Sequence, residues 1–191
     1  YGAQICESSE IACLIDQKLA EPIDATDNGD TILSPLFENV FPYNIQDFIF
    51  LFNPTWKERG ADIDQIFLKL TESAKAILTR EITKTRHTEE ARIIIDKFYQ
   101  TAEDKRLIIM DDEYPWLEIL GKYKEPLYVL YPESKNQMWI VTSVRDNPKS
   151  FVNRKDLPLS WAGKRNEELE NITGVSDAVF CHNKRFIVVA K

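Results

Sequence analysis

The sequence predicts an α+β protein in which a helical region precedes a small mixed α/β domain at the C-terminal end. Apolar residues recur at helical spacing over residues 3–19 and again from Ala61 to about Thr101, and from Arg106 onward the spacing changes to that of strands. Composition agrees with a packed core. Of 191 residues, 43% are hydrophobic and 11% aromatic, which sets the chain apart from disordered, collagenous and coiled-coil sequences.

Taken in order, residues 3–19 place Ile5, Ala12, Ile15 and Leu19 with Cys6 and Cys13 on one helical stripe, and both cysteines read as core residues. The helix is expected to stop near Pro22. Ile23 to Thr31 reads as a polar loop, because Asp24, Asp27, Asn28, Gly29 and Asp30 crowd together with turn chemistry. Residues 33–43, with Pro35 and Pro42, read as irregular, and the apolar run Ile45 to Phe52 fits a helix or a strand equally. Asn53 to Gly60 is a loop by its proline and glycine. A long helical pattern follows from Ala61, with Ile63, Ile66, Phe67, Leu70, Ala74, Ile77 and Leu78 on one face, in one piece or two.

Strands are expected at Leu107–Met110, Leu127–Tyr131, Met138–Val144, Ala178–Cys181 and Arg185–Ala190, with turns at Pro132–Gln137 and Asn183–Lys184. One helix, Gly163–Asn171, interrupts them. Three regions result: residues 1–43, residues 44–104 as a long helical body or linker, and an α+β domain over residues 105–191.

Charge limits the partners. With 24 Lys and Arg against 31 Asp and Glu the net charge is −7, which lacks the basic balance of a duplex-DNA binder. From Arg145 to Lys191, however, nine basic residues face six acidic ones, so a mildly cationic end follows an acidic body. The three cysteines, Cys6, Cys13 and Cys181, have no zinc spacing and form no even set, which points to a reducing, cytoplasmic compartment. No apolar run reaches the roughly 18 residues of a bilayer span, so no membrane partner is expected. Tyr1 stands where an initiator methionine would, which leads to the expectation that a longer protein has been cut or processed here.

Candidate chemistry is sparse. Asp24 and Asp27 sit three residues apart, where two hard carboxylates can converge on one divalent cation, although Asp-Asn-Gly is also a common turn sequence. His87 lies among charges and reads as a solvated side chain, whereas His182 sits at a strand end from which it can reach a ligand. Neighbours on a strand point to opposite faces, so Cys181 and His182 are not expected to form a nucleophile pair. The cluster Asp111–Trp116 reads as an acidic turn. Six glycines leave no Gly-rich phosphate loop. In Ser150–Arg165, the cations Arg154, Lys155, Lys164 and Arg165 suit phosphates, and Phe151 or Trp161 suits a base, unless these aromatics simply anchor a loop.

The succession Ile23-Asp-Ala-Thr-Asp-Asn-Gly29, Phe52-Asn-Pro-Thr-Trp56, a long helical stretch, Tyr114-Pro-Trp116 and Ser150–Leu169 through Ile172–Ile187 resembles the MYG (melanocyte proliferating gene) family of metal-dependent exonucleases. These belong to the DHH, or Asp-His-His, phosphoesterase superfamily. The resemblance implies a two-domain protein whose N-terminal catalytic half holds Mn²⁺ or Mg²⁺ through motifs that this sequence does not contain, residues 1–43 being the end of that domain. It implies that Asp27, with Asp24 beside it, is metal-associated, and that Arg154, Trp161, Arg165 and His182 lie on the substrate side of a substrate-binding domain, where Lys164 joins them as a substrate-binding candidate from its place among the cations. The implied activity is two-metal hydrolysis of RNA or single-stranded nucleic acid by a 3′–5′ exonuclease. These residues alone are expected to be inactive without the N-terminal half, which is the implied partner, and a homodimer is left open. Relatives can end in a glycine-rich, histidine-containing segment, and here Val188-Val189-Ala190-Lys191 stands instead. The competing reading is a non-catalytic module that binds nucleic acid or a nucleotide, and beyond it a scaffold with no ligand.

Overall fold

A computed structural model describes residues 2–30, 34, 37, 40–133, 135–147 and 150–191. The chain divides into two compact units, residues 1–87 and 88–191. As expected from the change of period, the first is helical and the second carries a mixed sheet.

In the first unit, α1 (Gly2–Cys6) and α2 (Ser9–Ile15) are separate helices. Glu7 between them has φ +59°, and Ser8 caps α2 by accepting the Ile11 N–H. This break shifts the helical phase between Cys6 and Cys13, so Cys6 is buried and Cys13 is exposed, contrary to the core position expected for both. The helix also does not stop near Pro22. A π-turn, Asp16–Ala20, passes directly into α3 (Glu21–Asp27), with Pro22 in the first turn, where a missing N–H costs little.

The polar loop expected over Ile23–Thr31 is therefore helical through Asp27, and Thr31 lies outside the described residues. Asn28-Gly29 ends the helix: Asp30 N–H donates to Ala25 C=O (2.9 Å) and Gly29 N–H to Thr26 C=O (3.1 Å), with Gly29 at φ +84°. Of the stretch expected to be irregular, residues 34, 37 and 40–43 are without regular structure and residues 33, 35, 36, 38 and 39 lie outside the described set.

The ambiguous apolar run resolves as helix α4 (Ile45–Leu51). Asn44 accepts from the N–H groups of Gln46 and Asp47 while Asp47 accepts from Asn44 N–H, a capping box. After the Asn53–Gly60 loop, α5 (Ile63–Thr101) runs 39 residues unbroken. The buried core of this unit consists, among the described residues, of Cys6, Ile11 and Ile15, with Ala12, Leu19 and Ile82 against them. Phe50, Leu51 and Phe67 remain 57%, 70% and 67% exposed.

In the second unit, the strands are β1 (Leu107–Ile109), β2 (Tyr128–Glu133), β3 (Met138–Ser143), β4 (Ala178–Cys181) and β5 (Ile187–Ala190). They form one sheet in the order β1-β2-β3-β5-β4, parallel between β1 and β2 and antiparallel elsewhere. The turn expected from Pro132 starts later, because Pro132 and Glu133 still pair with Trp139 and Met138.

Alternation along the strands fills two faces. Val129, Tyr131 and Ile140 join Ala91, Ile95 and Tyr99 of α5 and Ile119 and Leu120 of α6 (Leu117–Leu120) in one cluster. Tyr128, Val141 and Val188 look the other way, onto Leu157, Leu169 of α7 (Asn166–Thr173), Ala178 and Cys181. Lys105 ends α5 by donating to the carbonyls of Tyr99 (2.6 Å) and Gln100 (2.7 Å), the carbonyls that a helix C-terminus leaves open.

Candidate nucleic-acid interface

The segment before α7 departs from the sequence expectation in a way that builds a site. Gly163 to Arg165 are not helical but lie along the outer edge of β4: Cys181 N–H donates to Lys164 C=O (3.0 Å), Gly163 N–H donates to Cys181 C=O (3.1 Å), and Arg165 bridges Phe180. Glycine is favoured at the start. Gly163 has φ +71°, and a Cβ there would collide with the side chain of Asn183 in the β4–β5 turn. Arg165 follows at the N-cap position of α7, with extended backbone and no capping bond from its side chain. Its guanidinium lies over the Phe180 ring, 4.6 Å from the centroid, while the side chain stays solvent-exposed with no carboxylate at ion-pair distance among the described residues.

Phe180 and His182 are two residues apart and share a face. Their rings meet edge to face at 6.1 Å, and Phe186 lies 4.4 Å from the imidazole. His182 is held on all sides by the turn: its N–H donates to Ile187 C=O (3.0 Å), its C=O accepts from Arg185 N–H (2.8 Å), and its Nδ1 accepts from Lys184 N–H (3.0 Å). Cys181 points the opposite way into the core, and a bulge between Ala178 and Phe180 puts Ala178 in the same cluster. Burial pushes the Cys181 thiol up, against a smaller lowering by Arg185, which disfavours its thiolate.

The other candidates are placed differently. Lys164 pairs with Glu168 at 3.3 Å, one turn into α7. Trp161 ends the 3₁₀ turn Leu159–Trp161 and packs, half-buried, on the Leu157–Leu169 cluster. Arg154 donates to the carbonyls of Pro126 (3.0 Å) and Gly121 (2.9 Å), tying its loop to the chain before β2. Arg145 lies 4.8 Å over the ring of Phe151, which is 88% exposed and presents an open stacking face. The structure thus gathers Arg165 and His182 with Phe180 and Phe186. The sequence reading passed over both phenylalanines, although the two-residue step from Phe180 to His182 was the signal for the first.

Asp24 and Asp27 belong to the first unit, exposed on the last turns of α3. Two carboxylates supply few of the roughly six ligands that Mg²⁺ or Mn²⁺ takes, and among the described residues no three His, Cys, Asp or Glu side chains come together. Among the described residues, the donors of this chain do not fit a metal site by themselves. At Asp111–Trp116, Tyr114 OH donates to Asp111 Oδ1 (3.1 Å), and burial, then that bond, then the Asp111 and Asp112 charges push the phenol up. Among the described residues, no helix is long and apolar enough to cross a membrane.

Comparison with known proteins gives one family. Residues 4–191 match the MYG1 exonuclease family model, described as an uncharacterised protein family (UPF0160). The chain is 28% identical over 187 residues to a MYG1 protein of Schizosaccharomyces pombe, covering 90% of this chain and 56% of that one. It is 29% identical over 209 residues to a MYG1 protein of Saccharomyces cerevisiae, covering 96% and 61%, and 24% identical over 209 residues to the MYG1 exonuclease of Rattus norvegicus, covering 97% and 54%. The chain therefore spans little more than half the length of these relatives. No solved structure matches it.

Proposed function

The chain belongs to the MYG1 exonuclease family, and from that premise we propose that it is the strand-gripping part of a phosphodiesterase, a 3′–5′ exonuclease acting on RNA or single-stranded nucleic acid. The observation that carries this reading is the Arg165–Phe180–His182 cluster. A guanidinium stacked on an aromatic ring and without a carboxylate partner among the described residues, beside an imidazole, pairs phosphate recognition with an apolar surface, the combination that single-stranded sites use. The mildly cationic stretch from Arg145 and the open Phe151 ring support it.

Mn²⁺ or Mg²⁺ belongs to the proposal as the hydrolytic cofactor of the complete enzyme, where it would generate the attacking hydroxide and neutralise phosphate charge. Asp27 and Asp24 are offered as donors to a set completed by an N-terminal half of the same kind of protein. The 191 residues alone then bind a strand without cutting it. The proposal places the protein in a reducing compartment and leaves self-association open.

Two assays on the full chain test the reading. A labelled short RNA should remain uncut in Mn²⁺ yet bind, and Arg165→Ala should weaken binding by about 1 to 2 kcal/mol and reduce its salt dependence. Turnover comparable to an intact relative would overturn the division of labour, and equal affinity of Arg165→Ala and parent would remove the arginine from the site. Binding without cutting even after an N-terminal half is supplied would favour the non-catalytic module.

A further inference from the structure

The hydrogen bond on the His182 ring decides what that side chain can do. A neutral imidazole carries one donor and one acceptor nitrogen, and Nδ1 is already the acceptor, 3.0 Å from the backbone N–H of Lys184. On a neutral ring that leaves the proton on Nε2, which has no partner among the described residues. The bond is local, from a side chain to the N–H two residues on, and the turn that makes it is fixed twice more. Arg185 N–H donates to His182 C=O at 2.8 Å, and Asn183 is wedged against Gly163. Phe186, 4.4 Å away, and the edge contact with Phe180 set the tilt of the ring.

We propose that His182 acts as a neutral Nε2–H donor to a phosphate oxygen of the bound strand, locked in that tautomer by the backbone N–H of Lys184. This rests on the reading of the face as a nucleic-acid site and adds which atom makes the contact. A donor nitrogen suits an anionic oxygen, and Arg165 over the neighbouring Phe180 supplies the charge that a neutral imidazole lacks. The lone pair on Nδ1 is used, so this nitrogen neither ligates a cation nor takes a proton from the substrate while the turn is intact.

The test pairs a spectroscopic readout with side-chain mimicry on the full chain. Long-range ¹H–¹⁵N correlation of the wild type at mildly alkaline pH should show Nε2 protonated and Nδ1 bare, and a proton on Nδ1 would overturn the proposal without any variant. His182→Gln places an amide N–H near the position of Nε2, whereas His182→Asn reaches only as far as Nδ1. For a fluorescent short single-stranded RNA, the glutamine variant should bind within about three-fold of wild type, and the asparagine and alanine variants should lose about ten-fold. Loss in the glutamine variant equal to that in alanine, with the wild type still binding RNA, would overturn this inference and leave the broader reading standing. A wild type that binds no RNA would bring down both.

Discussion

The two units of this chain solve the same problem unequally. Residues 88–191 bury apolar side chains on both faces of a sheet, with Ile95, Ile108, Leu120, Val129, Val144 and Leu169 fully enclosed. Residues 1–87 enclose only Cys6, Ile11 and Ile15 among the described residues and leave much of α4 and the first turns of α5 in solvent. Length does not explain this, since the two are similar in size. A sheet lets one strand serve two layers, whereas isolated helices bury one stripe each and need further partners to complete a core. The contrast places the stability of the chain in the second unit, which is also where Arg165 and His182 are held.

The largest test of this contrast is a pair of truncations. Leu120→Ala should lower the unfolding free energy by about 2 to 5 kcal/mol, measured by urea denaturation followed through tryptophan fluorescence, because a fully enclosed leucine leaves a cavity. Ile15→Ala should move the same transition by less than about 1 kcal/mol, since its cluster is small and can collapse onto what remains. Equal losses would show that the first unit carries as much of the core as the second.

A smaller effect is expected from Gly163→Ala. Forcing a side chain to φ +71° against Asn183 should cost about 1 to 3 kcal/mol and also weaken RNA binding, as the same contact positions Arg165 and the His182 turn. Destabilisation with unchanged binding would separate the turn from the site.

The smallest effect concerns Asp104, held well below the usual carboxylate range, to about 2, by the hydrogen bonds and charge of Arg106. A lowered folded-state value means the contribution is complete above about pH 4 and lost as pH falls toward 2. The difference in melting temperature between wild type and Asp104→Asn should be small, constant down to that range and then vanish. A difference that grows on acidification would contradict the sign.

Much of the second unit was legible in the sequence because its central strands alternate between two packed faces, as Tyr128 and Val129 or Ile140 and Val141 do. Ile45–Leu51 was not, since a short run that is mostly apolar shows no decisive period, and its capping box joins Asn44, just before the run, to Asp47 within it. Cys13 was misplaced because the break at Glu7 is a backbone conformation no side chain announces. Asp27-Asn28-Gly29 looked like a loop because the glycine that stops a helix is also a turn former. At the site, Arg165 and His182 were visible in order and type. Their meeting around Phe180 depends on Gly163 passing close to Asn183, a contact 20 residues apart that neither local spacing nor charge encodes.

Photo-crosslinking of a short single-stranded RNA to the full chain, followed by identification of the modified peptides, tests the central claim most directly. The account predicts adducts within residues 163–187, on Phe180, His182 or Phe186, and their loss in Arg165→Ala. Adducts confined to the helical unit, or none at a concentration where RNA binds, would contradict it.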